Sequence, residues 1–343
     1  MLCSLLLLST IFGCAPATTA IQPTATPTTS LAPNATPTQT LTPTPTLTPT
    51  PTELPALCGG PRSMLILLVG SDARSNTYEI GLADAIRLVR VDFVEPRVQV
   101  LTFHRDLYVE IPGIEDHNGI THGKLNQAFL YGNPGYGYFD GPGQGPGLLA
   151  LTLEHNFDAH SDHFVAVNLQ TFSRVVDALG GIDIRLPYLI DGRVEGSKDP
   201  NRYFPAGYQQ LSGYRTMLLA RMRTRGDFQR GEIQDLILRA LAEKLLRPST
   251  IPRLPELAEA FRGSIQTDLG PAEVGQLLCL AAILDTDRIE FVDLPRNLFT
   301  NTRVQDPVLG NTSIMAADFE ILKTYVKKFE SGTWTEGKED VGE

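Results

Sequence analysis

Residues 64–70, MLILLVG, are apolar without interruption and end in glycine. A run with no polar alternation suits a strand buried on both faces, and such a strand needs a covering layer on each side. Two further runs, AIRLVRVDF at 85–93 and VQVLTFH at 98–104, are joined by the turn-like VEPR and predict a hairpin. Helical periodicity follows at 124–132 and 147–157, with a Gly/Pro-rich loop between them. A strand at 163–169, a helix at 169–181 closed by glycine, and a strand at 182–187 come next. Helices are expected near 211–221, 227–246, 253–263 and 271–284, then a strand at 288–295 and a last helix near 315–329. Strands alternating with helices imply an α/β layered domain.

The ends of the chain are different in kind. From Ala15 to Leu57 the sequence is almost wholly Thr, Pro and Ala, with ten of the 25 prolines and a single charge, Glu53. No core can form from this composition, which favours extended polyproline-like conformations and a semi-rigid spacer of up to roughly 130 Å at ~3.1 Å per residue. Before it, MLCSLLLLSTIFGC carries an apolar run too short for the ~20 residues needed to span a bilayer, and reads as an export signal. Its end, Ile11-Phe12-Gly13-Cys14, resembles a lipobox, in which Cys14 would be acylated and become the mature N-terminus. The expected organisation is a signal at 1–14, a tether at 15–57, a folded domain at 58–331 and a polar tail at 332–343. With Cys3 and Cys14 assigned to the signal, Cys58 and Cys279 remain. Outside the cytoplasm such a pair is expected to be bridged.

A formal net charge of −10 argues against nucleic-acid binding, which normally needs a basic face. Against that background, RMRTRGDFQR at 221–230 concentrates four arginines. In a continuous helix Arg221 and Arg223 would lie about 200° apart, so they converge only if the chain turns there, which Gly226 permits. Asp227 would then cap the next helix, placing Arg230 and Gln234 on one face near its N-terminus. A helix N-terminus ringed by arginines is a phosphate site in outline, the bland alternative being a solvated basic face. Asp72 in GSDAR ends the first strand, where ligand sites of open α/β sheets gather, and Asp84 precedes the second. Such a pair is able to hold Mg²⁺, or Asp72 is simply a turn residue. Arg105 and Asp106 end the third strand, either as an internal ion pair or with Arg105 aimed at phosphate. The six histidines lie between 104 and 163 without standard zinc spacing and are expected in loops or at the surface.

These motifs in this order resemble the LytR–CpsA–Psr family of cell-envelope enzymes: LILLVGSDAR, ADAIRLVRVD, TFHRDLYVEIPG, KLNQAFLYG, VNLQTFSRVVDALGGIDIRLP and LSGYRTMLLARMRTRGDFQRGEIQ. The likeness covers about 64–246 and runs more loosely to about 330. It implies a layered α-β-α domain with a central mixed sheet. It also implies a Mg²⁺-dependent phosphotransferase that moves a glycopolymer from a polyprenyl-pyrophosphate carrier to a peptidoglycan sugar hydroxyl. On that pattern Asp72 and Asp84 hold Mg²⁺, and Arg74, Arg105, Arg221, Arg223, Arg230 and Gln234 bind the pyrophosphate. Asp106 and Asp227 support them. The polyprenyl tail needs an apolar slot, for which the helices at 147–157 and 232–246 carry enough Leu, Ile and Ala. Where the family commonly has Arg-Ser/Thr-Asp-Thr this chain has Leu82-Ala83-Asp84-Ala85, and His104 replaces a usual proline. The alternatives are a non-catalytic binder of polyprenyl-linked glycans and a lipid pyrophosphatase. The expected location is outside the cell, with a lipid anchor holding the protein at the outer face of the cytoplasmic membrane or in the envelope.

Overall fold

The structure, a computed structural model, describes residues 54–334 apart from Arg225 and the side chain of Asp227. The signal, Cys14, most of the tether and the last nine residues lie outside the described part. Six strands form the central sheet: β1 (Ser63–Ser71), β2 (Ala83–Asp92), β3 (Arg97–Phe103), β4 (His163–Asn168), β5 (Ile265–Thr267) and β6 (Ile289–Val292). Their order is β5-β4-β1-β2-β3-β6. β1 runs antiparallel to β2 and parallel to β4, β2 and β3 form the expected antiparallel hairpin, and β6 joins β3 in parallel. The sheet is therefore mixed.

Period-two alternation divides its side chains between two layers. Leu67, Val69, Ile86, Leu88, Leu101 and Phe103 face a tight core closed by α1 (Leu125–Gly132), α2 (Gln144–Phe157) and, near the C-terminus, α8 (Phe319–Glu330). The other face is covered by α3 (Leu169–Ala178), α4 (Gly213–Ala220) and α5 (Asp227–Leu245). The short α6 (Leu254–Ala260) follows, and α7 (Pro271–Ala281) packs through Leu277 and Leu280 beside Met64 and Ile66. α3 begins where the Asn168 side chain accepts the Thr171 N–H (2.8 Å). It packs so closely on α4 that a Cβ at Gly213 would lie 1.9 Å from the Ser173 carbonyl oxygen, so that crossing requires glycine.

Tyr78 fixes the loop between β1 and β2. Its hydroxyl accepts from the Asn168 N–H (2.9 Å) and lies 3.0 Å and 3.1 Å from the carbonyls of Ala166 and Ser264. The side chain is buried, and burial pushes the phenol above its ordinary range.

Several elements depart from the sequence expectations. The strand Ile182–Leu186 stands outside the central sheet, in a ribbon with Gly207–Leu211 that has its own apolar cluster with α4 and α5. The helix expected from 315 starts only at Phe319, after the Asp318 cap, because Phe299–Asp306 and Gly310–Ala317 form an antiparallel ribbon. Asp306 turns that ribbon by accepting the N–H groups of Val308 (2.8 Å) and Leu309 (2.7 Å), a local Asx contact that overrides the weak helical pattern. Trp334, inside the expected polar tail, is buried against the main core.

Cys58 and Cys279 are bonded, their Cα atoms 5.7 Å apart, and tie the first described turn to α7. The bridge closes a loop of 221 residues, which in the loop-entropy account stabilises by about 5 kcal/mol. Replacing both cysteines by serine is expected to lower the urea midpoint and to steepen its slope, because the unfolded chain freed from the loop exposes more surface, and non-reducing peptide mapping of the wild type to recover the two cysteines in one fragment. An unchanged midpoint, or two free thiols after quenching, would contradict the bridge.

Candidate functional site

Between the sheet and the α3–α5 layer lies a cavity of about 410 Å³. Its body is apolar: Leu68, Val167 and Ile265 from the strands face Leu169, Phe172 and Val175 of α3 and Ile237, Leu238 and Leu241 of α5. The expectation that 232–246 lines an apolar slot holds. The companion expectation for 147–157 does not, because α2 buries Leu148, Leu149 and Leu153 in the opposite core, and α3 takes its place. Both helices have the required composition; the side of the sheet on which each packs decides.

At one end the lining becomes charged. Asp84, Arg87, Arg221, Arg223, Arg230 and Gln234 stand together there. A smaller recess of about 20 Å³ shares Asp84, Arg87, Arg230 and Gln234 and adds His104, Arg105 and Asp106.

Local geometry explains how these residues meet. Ser71 pairs with Ala83 but Gly70 pairs with Ala85, so Asp84 is the extra residue of a β-bulge. Bulges re-aim a side chain, and here the carboxylate is turned toward the cavity mouth. Gly70 suits the site, since a Cβ would come within 3.1 Å of Ala85 Cβ. The break expected at Gly226 is present: α4 ends at Ala220, α5 starts at Asp227, and Gly226 adopts φ +97°. Gly226, not Asp227, holds the N-cap position, and Asp227 is the first helical residue. The turn lets Arg221 and Arg223 reach one mouth while remaining exposed, whereas Arg230 in the first turns of α5 is buried. Thr224 closes the turn by donating to Gln229 Oε1 (3.0 Å).

A charged chain crosses the recess. Arg105 Nη1 forms a salt bridge with Asp84 Oδ1, Arg105 Nε lies 3.3 Å from Asp106 Oδ2, and Lys124 Nζ lies 3.1 Å from Asp106 Oδ1. Asp106 thus contacts both Arg105 and Lys124, and the internal Arg105–Asp106 pair coexists with the contact to Asp84. His104 lies edge-on to the rings of Phe228 and Phe299, each 4.6 Å away.

Two expected members are placed differently. Asp72 sits at the end of β1, but its Oδ1 accepts the Leu82 N–H (2.7 Å) while its own N–H donates to the Leu82 carbonyl (3.2 Å). Arg74 is exposed, and neither residue lines the cavity or the recess. Among the described residues there is no group of three or more His, Cys, Asp or Glu side chains placed to hold a metal ion. His155, His160 and His163 pair with Glu110, Glu154, Glu330 and Asp268.

Sequence reasoning missed Arg87, Asp235 and Asp293. The Arg87 and Asp235 side chains are 2% and 12% exposed and meet at 2.9 Å; removing one partner from a buried pair of this kind typically costs about 3–5 kcal/mol. Burial pushes both the Asp235 and Asp293 carboxyls above the ordinary range, with Arg87 pulling each back. The available signal was a charged residue on an otherwise apolar strand, at the third position of AIRLVRV.

Comparison with known proteins follows the same lines. The chain matches the LytR_cpsA_psr family over residues 54–328. It is 27% identical over 207 residues to the polyisoprenyl-teichoic acid–peptidoglycan teichoic acid transferase TagV of Bacillus subtilis, covering 60% of this chain and 49% of that one. It is 26% identical over 215 residues to the regulatory protein MsrR of Staphylococcus aureus, covering 62% and 58%. The chain therefore spans only about half to three fifths of the length of these relatives. The crystal structure of B. subtilis TagV superposes with a TM-score of 0.60 at 24% identity, over 79% of this chain and 98% of that one. The structure of TagT bound to LIIa-WTA superposes with a TM-score of 0.56 at 20% identity, over 79% and 90%. These structural likenesses establish the fold. With the family pattern running through the layered domain from its first described turn into α8, the chain belongs to the LytR_cpsA_psr family.

Proposed function

We propose that this protein transfers a glycopolymer from a polyprenyl-pyrophosphate carrier to a sugar hydroxyl of peptidoglycan, joining the two through a phosphodiester. One observation carries the reading: the cavity is apolar along its body and strongly cationic at one end, the complement of a lipid with an anionic head group. The names of its relatives support the same reaction, TagV being a teichoic acid transferase that acts from a polyisoprenyl carrier.

The chain's own residues divide the work. Ile237, Leu238, Leu241, Phe172 and Val175 receive the prenyl chain and exclude water from it. Arg221, Arg223, Arg230 and Arg105 neutralise the pyrophosphate and orient the phosphorus that bears the glycan. The acceptor hydroxyl attacks that phosphorus, the bond to the bridging oxygen breaks, polyprenyl phosphate leaves with the electron pair, and the hydroxyl proton is released. The carboxylates that would hold Mg²⁺ are Asp84, in the lining of the mouth, and Asp72, which lies just beyond the end of β1 and outside that lining, with phosphate oxygens completing the shell. The ion would supply charge neutralisation at the pyrophosphate. Export with acylation at Cys14 and a Thr/Pro tether would keep the cavity close to the lipid surface that delivers the carrier.

Incubation with a lipid-pyrophosphate glycan, with and without peptidoglycan, tests the reaction. Transfer that depends on the acceptor is expected. Binding without turnover would identify a glycan-binding module, and acceptor-independent phosphate release a pyrophosphatase.

The two halves of the site should fail differently. Asp84→Asn and Asp72→Asn are expected to abolish turnover that added Mg²⁺ restores to the chelated wild type, while leaving appreciable lipid-pyrophosphate binding. Arg221→Ala, Arg223→Ala and Arg105→Ala should each weaken that binding by about 1.5–3 kcal/mol, the range for a lost charge-assisted hydrogen bond. Full turnover in both Asp variants would remove the metal from the mechanism.

Cys14→Ala should move the protein from the membrane to the soluble fraction with its thermal transition unchanged. Persistent membrane association would refute the lipid anchor.

A further inference from the structure

Arg87 has no role in the reaction as derived above, yet it stands in the wall shared by the apolar cavity and the polar recess, beside Asp84, Arg230 and Gln234. It reaches that position from β2, whereas Arg230 and Gln234 come from α5 and Arg221 from the end of α4. A guanidinium carries five N–H groups in a fixed fork. Four bonds are made here. Nε and Nη2 both donate to Asp235 Oδ1, at 3.1 Å and 2.9 Å, Nη2 also donates to Gln234 Oε1 at 3.3 Å, and Nη1 donates to the Ile86 carbonyl at 3.2 Å. One N–H, on Nη1, makes no hydrogen bond among the described residues.

The surroundings are acidic. Asp235 faces Arg87, Asp293 and Arg239; Asp293 faces Arg87, Glu232, Arg296 and Thr102. Desolvation pushes both carboxyls above the ordinary range, and the Arg87 guanidinium pulls each back. The Gln234 amide is held at both ends, its Oε1 by Arg87 and its Nε2 by the Ala220 carbonyl (3.2 Å), so the residue before Arg221 is linked to the Arg87 guanidinium. A charge this deeply buried is costly to keep in the wall of an apolar cavity, and the cost is offset when the ligand brings negative charge to the same place.

We propose that Arg87 is a further phosphate-binding residue of this site, held in position by Asp235 and linked through Gln234 to the end of the helix that carries Arg221. The inference rests on the polyprenyl-pyrophosphate reading and adds to it a cation supplied by the sheet. Arg87 then contacts the ligand from the opposite side to Arg221 and Arg223, which enclose it from the loop.

The rival is a purely structural ion pair, and the two diverge in a paired substitution. Farnesyl pyrophosphate is titrated calorimetrically into full-length wild type, Arg87→Met, Arg87→Lys and the double variant Arg87→Met/Asp235→Leu, with the thermal midpoint measured for each. Expected are a loss of at least tenfold in affinity for Arg87→Met, partial recovery with Lys, and a double variant that regains the wild-type midpoint but not the affinity. A double variant that regains both would overturn the proposal, because a structural pair is replaceable by apolar residues. So would affinity within twofold of wild type in Arg87→Met. If Arg87→Met does not fold, the double variant decides alone. Absence of wild-type binding would overturn the carrier reading together with this inference, whereas wild-type binding that the double variant matches overturns this inference only.

Discussion

β1 is covered on both faces, and the rest of the molecule is arranged around that requirement. With β2 on one side and β4 on the other, it divides the sheet's side chains into two layers that differ in how completely they close. Under α1, α2 and α8 the layer is filled, with Leu67, Val69, Phe103, Phe129 and Phe157 almost wholly removed from water. Under α3 and α5 it is not filled, and the unfilled volume is the cavity. Well-packed interiors leave few voids larger than a water molecule, so an apolar chamber of this size within an otherwise tight domain points to a ligand.

The charges at the mouth come from elements far apart in the chain. Asp84 is turned inward by a bulge, Arg105 is anchored by Asp84 and Asp106, and Arg221 and Arg223 are delivered by the turn at Gly226. An acidic protein thereby maintains a locally positive site. The arrangement suits phosphoryl transfer, in which positioning and charge neutralisation matter more than covalent participation by the protein. It also accounts for how a chain with a formal charge of −10 would take an anionic ligand: the field at the mouth is set by near neighbours, since distant surface charges are screened within about 10 Å at moderate salt.

The acidic side of the mouth is divided as well. Asp84 is partly open and shares its carboxylate with Arg105, whereas Asp235 is buried behind Arg87. Solvent access separates their chemistry: an open carboxylate is available to a cation or a phosphate-bound ion, and a buried one is kept for orienting a guanidinium.

Much of this was legible in the sequence because it depends on near neighbours in the chain. The continuous apolar run of β1, the VEPR turn, the break at Gly226 and the spacing of Arg230 and Gln234 on one helical face are local properties, governed by backbone sterics and periodicity. The arginine cluster at 221–230 likewise pointed to an anion site from its composition alone, with a solvated basic face as the alternative. What the chain could not reveal alone were choices of side and partner. Leu148 and Leu238 are equally apolar, yet one is core and the other cavity wall, because only the layer each helix joins decides that. Asp72 was expected at the mouth and is tied to Leu82, since a carboxylate at a strand end takes whichever donor the adjacent loop presents. Arg87 interrupts an otherwise apolar strand, and its meaning depends on Asp235, 148 residues away in sequence. Contacts over such separations are decided by packing, in which a buried charge must find its partner in three dimensions.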